Sequence, residues 1–88
     1  MMASQTIAQT LRIHGDFIKE IHARVGDRPF TAGRLATLGV DIPPGVGMRR
    51  FRSAGIFTLV GRTATEHKVI WRLSPVVLDY YATQEATA

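Results

Sequence analysis

The feature that most constrains the fold is the stretch from Gly45 to Leu73, in which a short arginine-rich segment is followed by two β-prone runs. Ala54-Gly55-Ile56 ends the arginine-rich segment, because glycine adopts the left-handed backbone that closes a helix. The apolar runs then cover Phe57 to Arg62 and His67 to Leu73. A polar tetrapeptide, Thr63-Ala64-Thr65-Glu66, separates them, which is typical of a β-hairpin. This order predicts a helix that leads directly into a hairpin.

Upstream of this unit, apolar residues recur at spacings of four and three from Ile7 to Val25, which indicates a helical stripe. Gly15 and Asp16 interrupt the stripe, since glycine weakens a helix interior and aspartate favours a helix start. The pattern therefore allows either one kinked helix from about Ser4 to Arg24 or a loose N-terminal segment followed by a helix from Asp16. An unpaired stripe of this kind could also dock against a second copy of the chain.

Helix-start and helix-end signals predict three further helices. Thr31 is a favourable N-cap for a short helix over Ala32 to Leu38, and Gly39 suits the C-terminal end of that helix. Proline is well tolerated in a first helical turn, so the arginine-rich segment predicts a helix from about Pro44 to Ala54. Ser74-Pro75 begins the last helix by the same rule.

Alternation along the hairpin separates a core face from a solvent face. Val69, Trp71 and Leu73 share one face of the second strand, and Phe57 and Leu59 should match them on the first. Trp71 is therefore expected in the core rather than as a stacking platform for a ligand.

A chain of 88 residues accommodates one domain. We expect the folded domain at residues 16–82, after an N-terminal segment, 1–15, that is either helical or loose. The alanine-rich polar end, 83–88, indicates a mobile tail. The fold class that these elements predict is α+β, mainly α.

The basic residues are concentrated in the central unit. The whole chain carries a formal net charge of +4, yet residues 42–73 hold six cations and a single acid, Glu66, a net +5 that leaves −1 for the remainder. Such clustering is the electrostatic pattern of a protein that binds a polyanion, and the alternative is a solvated basic face. The six cations are Arg49, Arg50, Arg52, Arg62, Lys68 and Arg72.

Four segments together carry a family resemblance. Thr31-Ala32-Gly33-Arg34-Leu35-Ala36 reads as a second helix, and Met48 to Ile56 as the end of a recognition helix, with two core apolar residues before an Ala-Gly-apolar exit. Val60-Gly61-Arg62 and His67 to Leu73 read as the two strands of a wing. In this order the segments resemble the winged helix-turn-helix family, especially small archaeal and bacterial transcriptional regulators. The likeness covers Asp16 to Leu73.

The resemblance implies a three-helix core, a two-stranded hairpin called the wing, a C-terminal helix and, as an open alternative, a short third strand near Phe30. It implies a protein that binds double-stranded DNA and regulates transcription, with the third helix in the major groove and the wing on the backbone. A homodimer through the N-terminal or C-terminal helix is expected. Two departures weaken the expectation of sequence-specific readout. The connection Pro43-Pro44-Gly45 is long and stiff, and Gly45 and Gly47 stand where the family commonly places residues that read base edges.

The candidate nucleic-acid contacts fall into two groups, on the third helix and beside the hairpin loop. On the helix, Arg49 and Arg52 lie within about 60° of each other, and Arg50 lies about 100° from Arg49. One pair can therefore face base edges, where arginine grips guanine O6 and N7, while the third arginine holds a phosphate. Basic and hydroxyl groups beside the loop suit phosphate or minor-groove contacts; the alternative for every residue is a solvated charge or a weak surface ion pair. The set is Arg49, Arg50, Arg52, Ser53, Arg62, Thr63, Thr65, His67 and Lys68.

Other chemistries find no support in the sequence. The chain has no cysteine, and the spacings of His14, His22 and His67 match no standard metal site. Motifs for nucleophilic catalysis, dinucleotides and phosphate loops are missing, and no apolar run reaches the about 18 residues of a membrane span. We expect no enzyme activity, cofactor, metal or membrane partner, and a cytoplasmic, nucleoid-associated location. The alternative functions are a protein–protein module of a larger assembly and a binder of structured RNA.

Overall fold

Five helices and a two-stranded antiparallel sheet make up the part of the chain that the computed structural model describes, residues 2–45 and 47–87, with side chains for 7–45 and 47–84. Met1, Val46 and Ala88 lie outside the described residues. The α+β class predicted from the sequence is confirmed. The elements are α1 (Met2–Ile13), α2 (Gly15–Val25), α3 (Ala32–Thr37), α4 (Met48–Ser53), β1 (Phe57–Arg62), β2 (Val69–Leu73) and α5 (Pro75–Thr87).

The N-terminal stripe forms two helices with a break between them. His14 has φ −114° and ψ 28°, outside helical values. Its N–H still donates to the Thr10 carbonyl (2.8 Å), and its carbonyl accepts from the Ile18 N–H (3.1 Å). The backbone is thus helical on both sides of one bend, which corresponds to the kinked form that the sequence allows and not to a loose N-terminal segment.

Local capping signals correctly predict the ends of α3 and the start of α5. Thr31 Oγ1 accepts a hydrogen bond of 3.1 Å from a backbone N–H in the first turn of α3, and Gly39 follows that helix with φ 81°. Ser74 immediately precedes α5. That helix continues to Thr87, so its backbone is helical beyond Thr83, where the sequence predicts the start of a polar tail.

The arginine-rich helix is shorter than expected. It begins at Met48, so the prediction of a helix from Pro44 was wrong. Gly45 has φ 78°, in the left-handed region that cannot continue a helix, and Gly47 is extended with φ −81° and ψ 154°. The glycines therefore form a turn before the helix instead of occupying its first turn. Gly55, with φ 86°, ends the helix as expected.

The hairpin pairs β1 with β2, Phe57 opposite Leu73 and Leu59 opposite Trp71. On the other edge of β2, Phe30 forms a single antiparallel bridge with Trp71, in which each N–H donates to the other carbonyl at 2.8 and 2.7 Å. The third strand that was left open near Phe30 is therefore one bridged residue. This bridge protects one edge of the sheet and leaves β1 as the other edge.

The two strands differ in how well they are covered. Trp71 is only 4% exposed, which confirms that it belongs to the core. Leu59, directly opposite, is 42% exposed, so its predicted place in the core was wrong. The reason is its position on the edge strand β1, beside an irregularity of the pairing between Leu59 and Gly61, whereas Phe30 covers the edge next to Trp71. Beyond Phe57 the first strand projects from the core.

Candidate nucleic-acid interface

The position of α4 is set by one buried aromatic ring. Phe51 is fully buried, and its ring centroid lies 5.3 Å from that of His14, 5.2 Å from Phe17 and 5.3 Å from Phe57. These separations are typical of favourable aromatic pairs. The helix is thereby fixed against α2, the start of β1 and the bend between α1 and α2, with its opposite side turned to solvent.

The solvent side of α4 carries the candidate base-reading and phosphate-binding residues. Arg49, Arg50 and Arg52 are exposed, and none of their guanidinium groups forms an ion pair or hydrogen bond with any group in the described part of the chain. Ser53, also exposed, lies about 40° around the helix from Arg49. Because no acid neutralises the three guanidinium groups, their charge and donor groups are available to a ligand.

On one side of α4, a groove of about 510 Å³ separates the helix from the hairpin, and we call it the hairpin-side groove. Arg49 contributes to it from α4, and His67 and Lys68 from the end of the hairpin loop. Thr31, at the start of α3, lines it as well. Three basic side chains from two distant parts of the sequence thus meet around one concave surface.

The hairpin loop is held by its own hydrogen bonds. The Lys68 N–H donates to Thr63 Oγ1 at 3.0 Å, and the Thr63 N–H donates to the Lys68 carbonyl at 2.8 Å. Arg62 donates through Nη1 to the carbonyl of His67 (2.9 Å), whose φ of 55° lies in the left-handed region. Arg62 and Thr63 therefore shape the loop, in addition to the ligand contacts predicted for them. Thr65 is exposed in the loop.

The remaining two cations of the basic segment, Lys68 and Arg72, also have partners. Lys68 Nζ lies 3.6 Å from a carboxylate oxygen of Glu66, with both side chains more than half exposed. Such a pair is worth only about 0–1 kcal/mol, so a phosphate can displace it. Arg72 donates to the Asp27 carbonyl at 2.8 Å, which ties the outer face of β2 to the loop after α2. Arg72, like Arg62, therefore donates to a backbone carbonyl of the fold.

On its opposite side, α4 borders a second groove, of about 430 Å³, between itself and α1; we call it the α1-side groove. Arg50 and Ser53 contribute to it from α4, and Gln9 and Thr10 from α1. The structure therefore divides the arginines: Arg49 lines one groove and Arg50 the other. Sequence reasoning included neither Gln9 nor Thr31, because only the packing of α1 and α3 against the neighbouring elements brings them beside the arginines.

Within residues 2–45 and 47–87, no helix is long and apolar enough to cross a membrane. Among the described residues, histidines and carboxylates form no group of three that could hold a metal ion. Comparison of the chain with protein-family models, with curated proteins and with solved structures finds no match in any of the three. The geometry of this surface is therefore what indicates the function of the chain.

Proposed function

We propose that this chain is a winged-helix protein that binds double-stranded DNA and regulates transcription. In this proposal α4 enters the major groove and the β1–β2 hairpin is the wing that follows the backbone. The observation that carries it is the set of unneutralised arginines on α4, one of which shares the hairpin-side groove with His67 and Lys68. A cytoplasmic, nucleoid-associated location follows from that role.

The dimensions and chemistry of the surface fit a duplex. A helix with its side chains is about 10–12 Å across, and the major groove of DNA is about 12 Å wide. Arg52 lines neither groove beside α4, and in this proposal it is the arginine assigned to a base edge. The remaining cations suit phosphates, which position a protein without reading sequence. With six residues, α4 offers few reading positions, so we expect affinity for many sequences and modest preference among them.

The direct test is a titration of isotope-labelled protein with a mixed-sequence duplex at low salt, followed through backbone amide shifts. We expect the shifts to concentrate at 48–54 and 62–68. Arg49→Ala should weaken binding. Arg24→Ala removes the same charge from α2, where Arg24 already pairs with Glu20 at 2.9 Å, and should leave binding unchanged. Unmoved amides in both ranges would end the proposal, and a stronger response to a structured RNA than to DNA would redirect it to that ligand.

An apolar groove of about 450 Å³ between α1 and α5 favours a second candidate function, a protein–protein module that associates with another copy of itself. Ile7 and Leu11 line the groove from α1, and Val76 and Tyr80, which are 56% and 43% exposed, line it from α5. The groove lies between α1 and α5, the two helices through which we expect a homodimer. The homodimer itself remains a prediction. Sedimentation equilibrium decides it: Val76→Asp should dissociate a dimer, and a wild-type monomer at all concentrations would exclude it.

A further inference from the structure

The two grooves beside α4 have different locations and similar chemistry. The hairpin-side groove is lined by Arg49, His67 and Lys68, and the α1-side groove by Arg50, Ser53 and Gln9. Among the side chains that the structure describes, no carboxylate lines either of them. A helix inserted in the major groove has one sugar-phosphate backbone on each side of it, because the groove is only slightly wider than the helix.

We propose that the α1-side groove binds phosphates of the second DNA strand, so that α1 is part of the duplex interface. This inference rests on the proposed function and extends it to residues outside the predicted winged-helix domain of 16–82. Arg50 supplies the charge, and the Ser53 hydroxyl and the Gln9 amide supply further hydrogen-bond donors, which are the groups that commonly contact phosphate oxygens.

The position of α1 is fixed well enough for this role. The side chain of Ile7 packs so closely on the backbone at Gly55 that a methyl group there would lie 3.0 Å from it. At the other end of α1, the His14 ring meets the edge of Phe51 at 5.3 Å. Contacts on both sides of Gln9 therefore hold this helix beside α4, and Gln9 itself remains exposed.

An exposed alanine outside the grooves provides a matched control. Gln9 lines the α1-side groove, whereas Ala82, exposed on α5, lines neither groove beside α4 nor the apolar groove between α1 and α5. Gln9→Lys and Ala82→Lys add the same charge at different places on the surface. If phosphates occupy the α1-side groove, Gln9→Lys should tighten duplex binding and steepen its salt dependence by about 0.9 in the log–log slope. Ala82→Lys should change neither.

A second experiment asks which strand Arg50 meets. The probes are a mixed-sequence DNA duplex and the same duplex with one strand made of uncharged methylphosphonate linkages. We call the second probe the half-neutral duplex. The protein can bind it with the hairpin-side groove against the charged strand, and Arg50 then lies beside the uncharged strand. Arg50→Ala should therefore weaken binding to the natural duplex and leave binding to the half-neutral duplex unchanged. Arg49→Ala should weaken both.

The outcomes separate this inference from the proposed function. If the wild-type protein binds neither duplex at low salt, both fail. If Arg49→Ala weakens binding while Gln9→Lys and Arg50→Ala have no effect, DNA binding stands and the role of the α1-side groove is overturned. Equal weakening of both duplexes by Arg50→Ala also overturns it, because Arg50 would then share the strand of Arg49 or contact a base. Urea unfolding of each variant confirms that the fold is retained.

Discussion

Replacing Gly55 with alanine should destabilise the protein through two separable effects. Gly55 has φ 86°, and an L-residue in this left-handed region costs about 1–2 kcal/mol. The added methyl group would also lie 3.0 Å from both Cγ1 and Cδ1 of Ile7. Isoleucine is stiff about its first side-chain torsion, so Cγ1 cannot swing away without a change of rotamer. Overpacking of this kind costs about 1–3 kcal/mol more.

Gly39→Ala isolates the backbone effect, because Gly39 has φ 81° and its added methyl group would meet nothing within 4 Å. We expect Gly39→Ala to lower the free energy of unfolding by about 1–2 kcal/mol and Gly55→Ala by about 2–5 kcal/mol. In an Ile7→Ala background, the loss of unfolding free energy caused by Gly55→Ala should fall to the loss caused by Gly39→Ala, because the side chain that the added methyl group crowds has been removed.

The assay is urea denaturation of the single and double variants, compared through a double-mutant cycle. A total stability of about 4–13 kcal/mol for a chain of this length leaves most of these variants folded and measurable. Equal losses for Gly55→Ala and Gly39→Ala would refute the reasoning. That result would mean that Ile7 does not pack on the turn after α4, and α1 would lose one of the contacts that place Gln9 beside the arginines.

Three further predictions concern the core, the response to alkali and base recognition. Phe51→Ala should lower the free energy of unfolding by about 3–5 kcal/mol in urea denaturation, because the residue is fully buried and contacts three rings. Burial raises the pKa of the Tyr81 hydroxyl above 10.0, and the nearby charge of Tyr80 raises that pKa further. The protein should therefore lose stability as the pH rises above about 10 and through the folded-state pKa. Tyr81→Phe should reduce this loss, measured as the urea midpoint against pH, and an unchanged alkaline profile would contradict the prediction. Replacing guanine with 7-deazaguanine, which lacks the N7 acceptor, should weaken duplex binding by the wild-type protein and leave binding by the Arg52→Ala variant unchanged. Unchanged binding by the wild-type protein would mean that Arg52 contacts only phosphates.

Local chemistry made much of the fold predictable. Thr31 caps a helix, and Gly39 and Gly55 end helices with positive φ, because each signal acts through the backbone of its own neighbours. The start of α4 was not predictable in the same way. Pro44 permits a helix, but Gly45 takes a left-handed conformation that prevents one, and a glycine is compatible with either outcome.

The functional surface was predictable only in part. The exposure of the arginines follows from the apolar spacing that buries Phe51 on the other side of α4. Their division between two grooves depends on where α1 and the hairpin pack, which involves residues more than thirty positions apart for Gln9 and Arg50. The burial of Leu59 was misjudged for a similar reason, since strand alternation does not show which edge of the sheet a distant residue covers.

The salt dependence of duplex affinity tests the central claim most directly. Arg49, Arg50 and Lys68 are the cations of this surface assigned to phosphates, and three such contacts predict a log–log slope of about −2.7. Raising the salt from about 50 to about 200 mM should therefore weaken binding of a mixed-sequence duplex about 40-fold. A slope near zero, with affinity unchanged over that range, would contradict the account, because it would show that these side chains meet no polyanion.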